Sequence, residues 1–175
     1  MRSSKALVVL GVALVVFALS SLTVGQEKAT PQEIVNKVQQ AASTLAKSSE
    51  AKPGEASLTP FNQKEGPWVW KDSYIFVLDC AKSTLAAHPI KADLIGKDTT
   101  TMKDTKGNAF FGQLCAATQK PSGVWVEYWW PKPGATEGSR KISYALKAGN
   151  TPYVVGAGIY DDNITIPQLE KLTSK

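Results

Sequence analysis

Trp125-Val126-Glu127-Tyr128-Trp129-Trp130-Pro131, then Arg140-Lys141-Ile142-Ser143-Tyr144, then Gly156-Ala157-Gly158-Ile159-Tyr160-Asp161-Asp162 form one run toward the end of the chain. Aromatic and β-branched residues, which suit a pleated surface, dominate it. The run predicts strands over 124–130, 141–147 and 153–160. Pro131-Lys132-Pro133-Gly134 and Ala148-Gly149-Asn150 separate them. Links this short favour antiparallel neighbours, because parallel strands need a longer crossover.

Upstream, residues 68–78 read as a strand bent near Asp72-Ser73, and 83–87 as its return after a turn at Asp79-Cys80-Ala81-Lys82. Thr30-Pro31-Gln32-Glu33 is a helix start, with Thr30 as cap, Pro31 at the first helical position and Glu33 completing a capping box. Ile34, Val35, Val38, Ala42 and Leu45 then recur at helical spacing, which predicts a helix to about residue 47. Residues 48–60, with Pro53-Gly54, read as a loop. Asn108 is the expected N-cap of a short helix reaching residue 118, with Phe111, Leu114 and Cys115 on one face. The tail beyond Asn163 reads as a short helix or as unstructured. One long helix and about five antiparallel strands define an α+β domain, with the helix on one face of the sheet.

Residues 1–25 precede that domain. Arg2 and Lys5, a nearly unbroken apolar run over 6–19, and small residues up to Gly25 give the order of a secretory signal peptide. An uncleaved anchor is the competing reading, but the run is short against the ~20 residues of a membrane span. Cleavage near Gly25 removes two cations, lowering the formal net charge from +5 to +3, and leaves 150 of 175 residues as one domain at 26–175. Lysines scattered in this way are not a nucleic-acid footprint. Cys80 and Cys115 suggest a disulfide in an exporting compartment, with two buried thiols as the alternative. A single histidine and no Cys-x-x-Cys spacing argue against a metal site, and no cofactor is expected.

Six segments in order resemble the single Cache sensor domain of bacterial chemoreceptors and histidine kinases, in its second single-Cache subfamily. They are Tyr74-Ile75-Phe76-Val77-Leu78-Asp79, Ala86-Ala87-His88-Pro89, Asp104-Thr105-Lys106-Gly107, Trp125-Val126-Glu127-Tyr128-Trp129, Lys141-Ile142-Ser143-Tyr144 and the Gly156–Asp162 run. The resemblance covers residues 30–163. It implies a PAS-like fold, with a long N-terminal helix on a five- or six-stranded antiparallel sheet. It also implies an extracytoplasmic pocket for short carboxylates such as acetate, propionate, pyruvate or lactate. With no second membrane span or signalling module after the domain, the chain is expected to be a free-standing exported form.

A short carboxylate needs charge-assisted donors and an apolar wall for its tail. Lys141 is the first candidate cation, with a solvated strand lysine as the plain alternative. Arg140 points to the other face of a regular strand. Tyr128 and Trp130 share a face and are expected at the ligand, on the family pattern. Trp125 and Trp129 share the opposite face, under the helix. His88, held extended by Pro89, could donate a hydrogen bond and respond to pH where histidines titrate. Trp70 and Tyr74 are candidate wall residues. Tyr144 ranks lower, three residues from Lys141 and so on the opposite face. Gly156 and Gly158 should allow close backbone approach, Asp161-Asp162 should close a turn, and residues 91–101 are the expected cover.

These features favour a non-enzymatic binding or sensing domain for a small organic anion, with a membrane-bound sensor or another exported protein as its partner. The oligomeric state stays open. The alternative is an interaction module that exposes Trp125, Trp129 and Trp130, since aromatics are enriched at interfaces. A hydrolytic enzyme is disfavoured by the lack of any nucleophile–histidine–carboxylate arrangement.

Overall fold

The computed structural model describes residues 26–51 and 57–174. The signal-peptide expectation falls on residues outside that range. Helix α1, Pro31–Ala51, starts as its sequence dictates. Thr30 N–H donates to Glu33 Oε2 at 2.7 Å, and Glu33 N–H to Thr30 Oγ1 at 3.3 Å, so two otherwise orphan donors are satisfied. The buried stripe is Ile34, Val35, Val38, Ala41, Ala42 and Leu45.

The expected strand over 68–78 is three shorter pieces. β1, Val69–Trp70, and β2, Ser73–Tyr74, form a tight hairpin. Lys71 takes a left-handed φ of 49° in its turn. Two anchors hold it there: Lys71 Nζ pairs with Glu27 and Glu33 at 2.8 Å each, and Asp72 Oδ1 accepts the Ala29 N–H at 2.7 Å. The hairpin is thereby fastened to the start of α1. The chain then enters β3, Phe76–Asp79, and returns in β4, Thr84–Ala87.

β5, Val124–Pro131, β6, Gly138–Lys147, and β7, Tyr153–Ile159, complete a five-stranded antiparallel sheet of order β4-β3-β7-β6-β5. α1 covers one face. Ile34, Val38 and Leu45 meet Ile142, Val155 and Ala157 there in an apolar core that also holds Trp125 and Tyr144. The other face carries the segment between β4 and β5. Its helix α2, Phe111–Cys115, packs with Phe110 onto Tyr74, Phe76, Leu78, Val126 and Tyr128.

α2 starts later than expected because Asn108 is committed elsewhere. Asp104 accepts the N–H groups of Lys106, Asn108 and Trp129 and the Asn108 side-chain amide, at 2.8–3.1 Å. That carboxylate closes its own loop and ties it to edge strand β5, so Phe110 takes the cap position. Cys80 and Cys115 are disulfide-bonded, Cα atoms 5.7 Å apart, which links the end of β3 to α2. After β7, Asp161 Oδ1 accepts the N–H groups of Asn163 and Ile164 and closes the turn. The tail forms α3, Ile166–Glu170, with a Thr165–Gln168 capping box and Leu169 buried.

Candidate functional site

Alternation along β6 sorts its residues between two environments. Ile142 and Tyr144 join the core under α1, while Lys141 and Ala145 face the other side. Arg140 also turns toward the α1 side, where Nη2 meets Glu127 Oε2 at 2.5 Å and Nη1 donates to the carbonyls of Asp161 and Ile164. Lys141 is fully buried. Among the described residues its Nζ has no hydrogen-bond partner and no carboxylate pairs with it.

Gly158 on β7 makes room for that side chain, since a Cβ there would stand 2.6 Å from Lys141 Cε and 2.4 Å from Ser143 Oγ. Gly156 plays the same part for Phe76, whose ring would lie 2.4 Å from an added Cβ. Aromatic rings take the place of a counter-ion. Nζ lies 4.1 Å from the ring centroid of Tyr74, 5.2 Å from Tyr160 and 5.6 Å from Phe76. Ring faces attract a cation, but more weakly than a carboxylate does.

The amine borders a cavity lined by Tyr74, Phe76, Leu85, His88, Phe110, Phe111, Tyr128, Trp130 and Lys141. Its volume, counted as room for the centre of a water molecule, is 10 Å³, about one water's worth. Phe110 lies flat on Tyr128, centroids 4.0 Å apart, with Trp130 edge-on at 5.6 Å. The Tyr128 hydroxyl is 2.8 Å from Ser143 Oγ.

His88 is buried beside Tyr74, ring centroids 4.7 Å apart. Its Nδ1 accepts the N–H groups of Ile90 at 3.2 Å and Lys91 at 3.0 Å. An imidazole that accepts at Nδ1 is neutral and carries its proton on Nε2. Burial, with Lys141 and Lys91 adding repulsion, pushes its pKa down to about 3. The expectation of a histidine that titrates near neutrality is therefore corrected: His88 is a fixed neutral donor. Burial likewise pushes Lys141 down to about 7, partly offset by the field of Asp72. The same cause pushes the hydroxyls of Tyr74, Tyr128 and Tyr160 well up.

Of the seven ligand candidates, Lys141, Tyr128, Trp130, His88 and Tyr74 meet at this cavity. Trp70 and Tyr144 do not. Trp70 packs on the α1 side with Lys37 Nζ 5.6 Å from its ring. Tyr144 is carried by alternation to the same side, where its hydroxyl donates to the Ser122 carbonyl at 2.8 Å. Trp125 lies on the α1 side of the sheet beside Tyr144, with Nε1 donating to Thr173 Oγ1 at 3.3 Å just past α3, while Trp129 has Lys106 Nζ 3.4 Å from its ring centroid. The expected cover is also corrected, since residues 91–101 contribute no wall residue and Phe110 and Phe111 do. Phe76 could have been found in the sequence, two residues from Tyr74 in a strand. Phe110 and Phe111 carry no such signal.

The exposed aromatic strip that an interaction module needs is absent among the described residues. Trp125 is buried, Trp129 and Trp130 are half-buried, and Leu172 is the one large apolar side chain classed as exposed. Among the described residues there is also no metal-binding cluster of His, Cys, Asp or Glu, and no helix long and apolar enough to cross a membrane.

Residues 69–165 match a family model described as a Cache domain. The chain is 30% identical over 93 residues to the methyl-accepting chemotaxis protein McpP of Pseudomonas putida, which is 53% of this chain and 17% of that protein. It is 30% identical over 94 residues to the sensor histidine kinase MctS of Rhizobium johnstonii, 54% of this chain and 20% of that one. The match thus spans about a fifth or less of each relative's length. A solved structure described as the basis for carboxylic acid recognition by a Cache chemosensory domain superposes with a TM-score of 0.63 at 27% identity, covering 75% of this chain and 92% of that one.

Proposed function

Because the chain belongs to the Cache domain family, we propose that it is an extracytoplasmic sensing domain that binds a short organic carboxylate against Lys141. One observation carries the reading: a lysine amine with no exposure, no hydrogen bond and no ion-pair partner, on the wall of an aromatic cavity. Burying a charge without a partner costs several kcal/mol. A core built only for stability would place an apolar side chain there. A carboxylate supplies the missing counter-ion, and a tail of one to three carbons suits walls made of Phe110, Tyr128 and Trp130. His88 Nε2–H is a second donor, and the Tyr74 hydroxyl a third. The cavity must widen beyond one water's volume, and the wall formed by Phe110 and Phe111, at the start of α2, lies outside the sheet.

Support for short carboxylates comes from the solved Cache domain described by carboxylic acid recognition. The disulfide fits an oxidising, extracytoplasmic setting. Signal reception, passed to a membrane-bound sensor or another exported protein, follows the receptor and kinase relatives. The cavity offers an anion a cation and donors but no nucleophile–base pair, so the site is one for binding rather than turnover.

Thermal-shift and calorimetric titration against acetate, propionate, pyruvate and lactate tests the reading, after unfolding and refolding to strip any copurified molecule. Stabilisation by at least one of them is expected, lost in Lys141→Met. No shift and no heat with any of the four would defeat it. Native mass spectrometry of freshly purified protein identifies the resident molecule directly.

A further inference from the structure

The lone amine has a consequence for what accompanies the anion into the site. The unliganded cavity gives Lys141 Nζ only ring faces and the distant field of Asp72. Asp72 is itself held by the Ala29 N–H, under the hairpin. An ammonium ion in such surroundings has no counter-ion among the described residues and little room for solvent, so its neutral form is favoured. A carboxylate beside it reverses the balance, because the ion pair stabilises the charged amine.

Resting on the anion-binding reading above, we infer that the site takes up one solvent proton with each carboxylate it binds, and that Lys141 Nζ holds it. The balance is simple. A neutral amine, a carboxylate anion and a proton become an ammonium–carboxylate pair, with no other bond made or broken. The domain then responds to anion concentration and pH together, a coupled input from one side chain.

The other groups facing the amine do not compete for that proton. Tyr74 from β2, Tyr128 from β5 and Tyr160 after β7 are neutral phenols whose hydroxyls burial keeps protonated far above neutrality. His88, after β4, has Nδ1 occupied by two backbone donors. Phe76 from β3 and Phe110 and Phe111 at α2 do not titrate. Lys91 Nζ, 6.0 Å from the Trp130 ring, adds repulsion to a cation at the site rather than a base. The lowering of Lys141 to about 7 agrees with this assignment.

The free amine gives up its proton through about pH 7, and the liganded amine keeps it to higher pH. Affinity is therefore full below pH 7 and falls about tenfold per pH unit above it. The plateau extends down to about pH 5, where a short carboxylate begins to protonate in solution.

Calorimetry of the full chain with acetate and propionate, in pairs of buffers with different ionisation enthalpies, reads the proton count. About 0.9 proton per ligand at pH 8 and about 0.1 at pH 6 are expected from a titration centred near pH 7. His88→Asn should weaken binding yet keep the uptake, which separates the two bases. Equal affinity at pH 6 and pH 9 with no proton exchanged would overturn the inference and leave the anion-binding reading standing. Proton uptake abolished in His88→Asn while binding persists would move the proton from Lys141 and overturn the assignment. No heat with either acid at any pH, nor with pyruvate or lactate, would sink both.

Discussion

The two faces of the central sheet are built on opposite terms. The face under α1 closes mainly by apolar packing, Ile34, Val38 and Leu45 against Ile142, Val155 and Ala157, and the one buried side-chain group left unpaired there among the described residues is the neutral indole N–H of Trp70. The far face contains Lys141, Ser143, Tyr128, Tyr74 and His88 among its aromatics, and the Lys141 amine has no partner among the described residues. Both faces come from the same strands, and β6 feeds both within three residues. The first supplies stability that the second gives up.

The two faces differ most at Lys141. Its folded pKa of about 7 lies below the ordinary 10.5. Between those values the unfolded chain holds the extra proton, so stability rises with pH across that window. Below pH 7 the full penalty applies, on the order of 5 kcal/mol before relaxation. Lys141→Met should therefore raise unfolding stability by several kcal/mol at pH 6 and by little at pH 10.5, while carboxylate binding is lost. Denaturant melts of both proteins at the two pH values measure the difference. A variant less stable than the parent at pH 6 would mean that the amine has a partner in solution.

The α1 face should behave in the opposite way. Ile34→Ala removes packing from a fully buried position and should cost about 2–5 kcal/mol, equally at pH 6 and pH 9. Carboxylate affinity should change less than about threefold, since the cavity lies across the sheet. A large loss of affinity at full folding would show that the faces are coupled.

The disulfide crosses between the two kinds of region, from β3 to α2. Cys80→Ala with Cys115→Ala should cost about 3–4 kcal/mol by the loop-entropy account. Because α2 carries Phe111 and follows Phe110, ligand dissociation should also quicken, read by stopped-flow displacement. A smaller effect is expected at Gly158. Gly158→Ala crowds Lys141 Cε and Ser143 Oγ, and should cost about 1–3 kcal/mol with an affinity loss of about tenfold. If its stability falls and its affinity does not, the position of the amine is not what sets binding.

Much of this architecture is legible locally. The capping box at Thr30 and Glu33 and the helical spacing behind it place α1. Period-two alternation places Lys141 opposite Arg140, and Tyr128 with Trp130 opposite Trp125. The same rule already disfavoured Tyr144, and the structure agrees. The errors arise where distant partners decide. Residues 68–78 look like one strand because Glu27, Glu33 and Ala29, which hold the hairpin turn at Lys71 and Asp72, are some forty residues away. Asn108 looks like a cap, but its short-range bonds to Asp104 compete with capping, and the Asp104–Trp129 link that fixes Asp104 spans 25 residues. Trp129 obeys its alternation, yet meets Lys106, which the loop closed by Asp104 brings to β5.

The sequence alone determined the long helix, the last three strands with their antiparallel pairing, and which residues of a strand share a face, because those follow from backbone periods of 3.6 and 2 and from short links. Tertiary structure alone decided what each inward side chain meets. It set two backbone donors on His88 Nδ1, removing the only histidine as a pH-sensitive base. It brought Phe110 and Phe111 across from another segment as a wall. It also left Lys141 without an ion-pair or hydrogen-bond partner among the described residues. A partner, or the lack of one, belongs to the packing of remote segments, and burial there turns an ordinary lysine into a site.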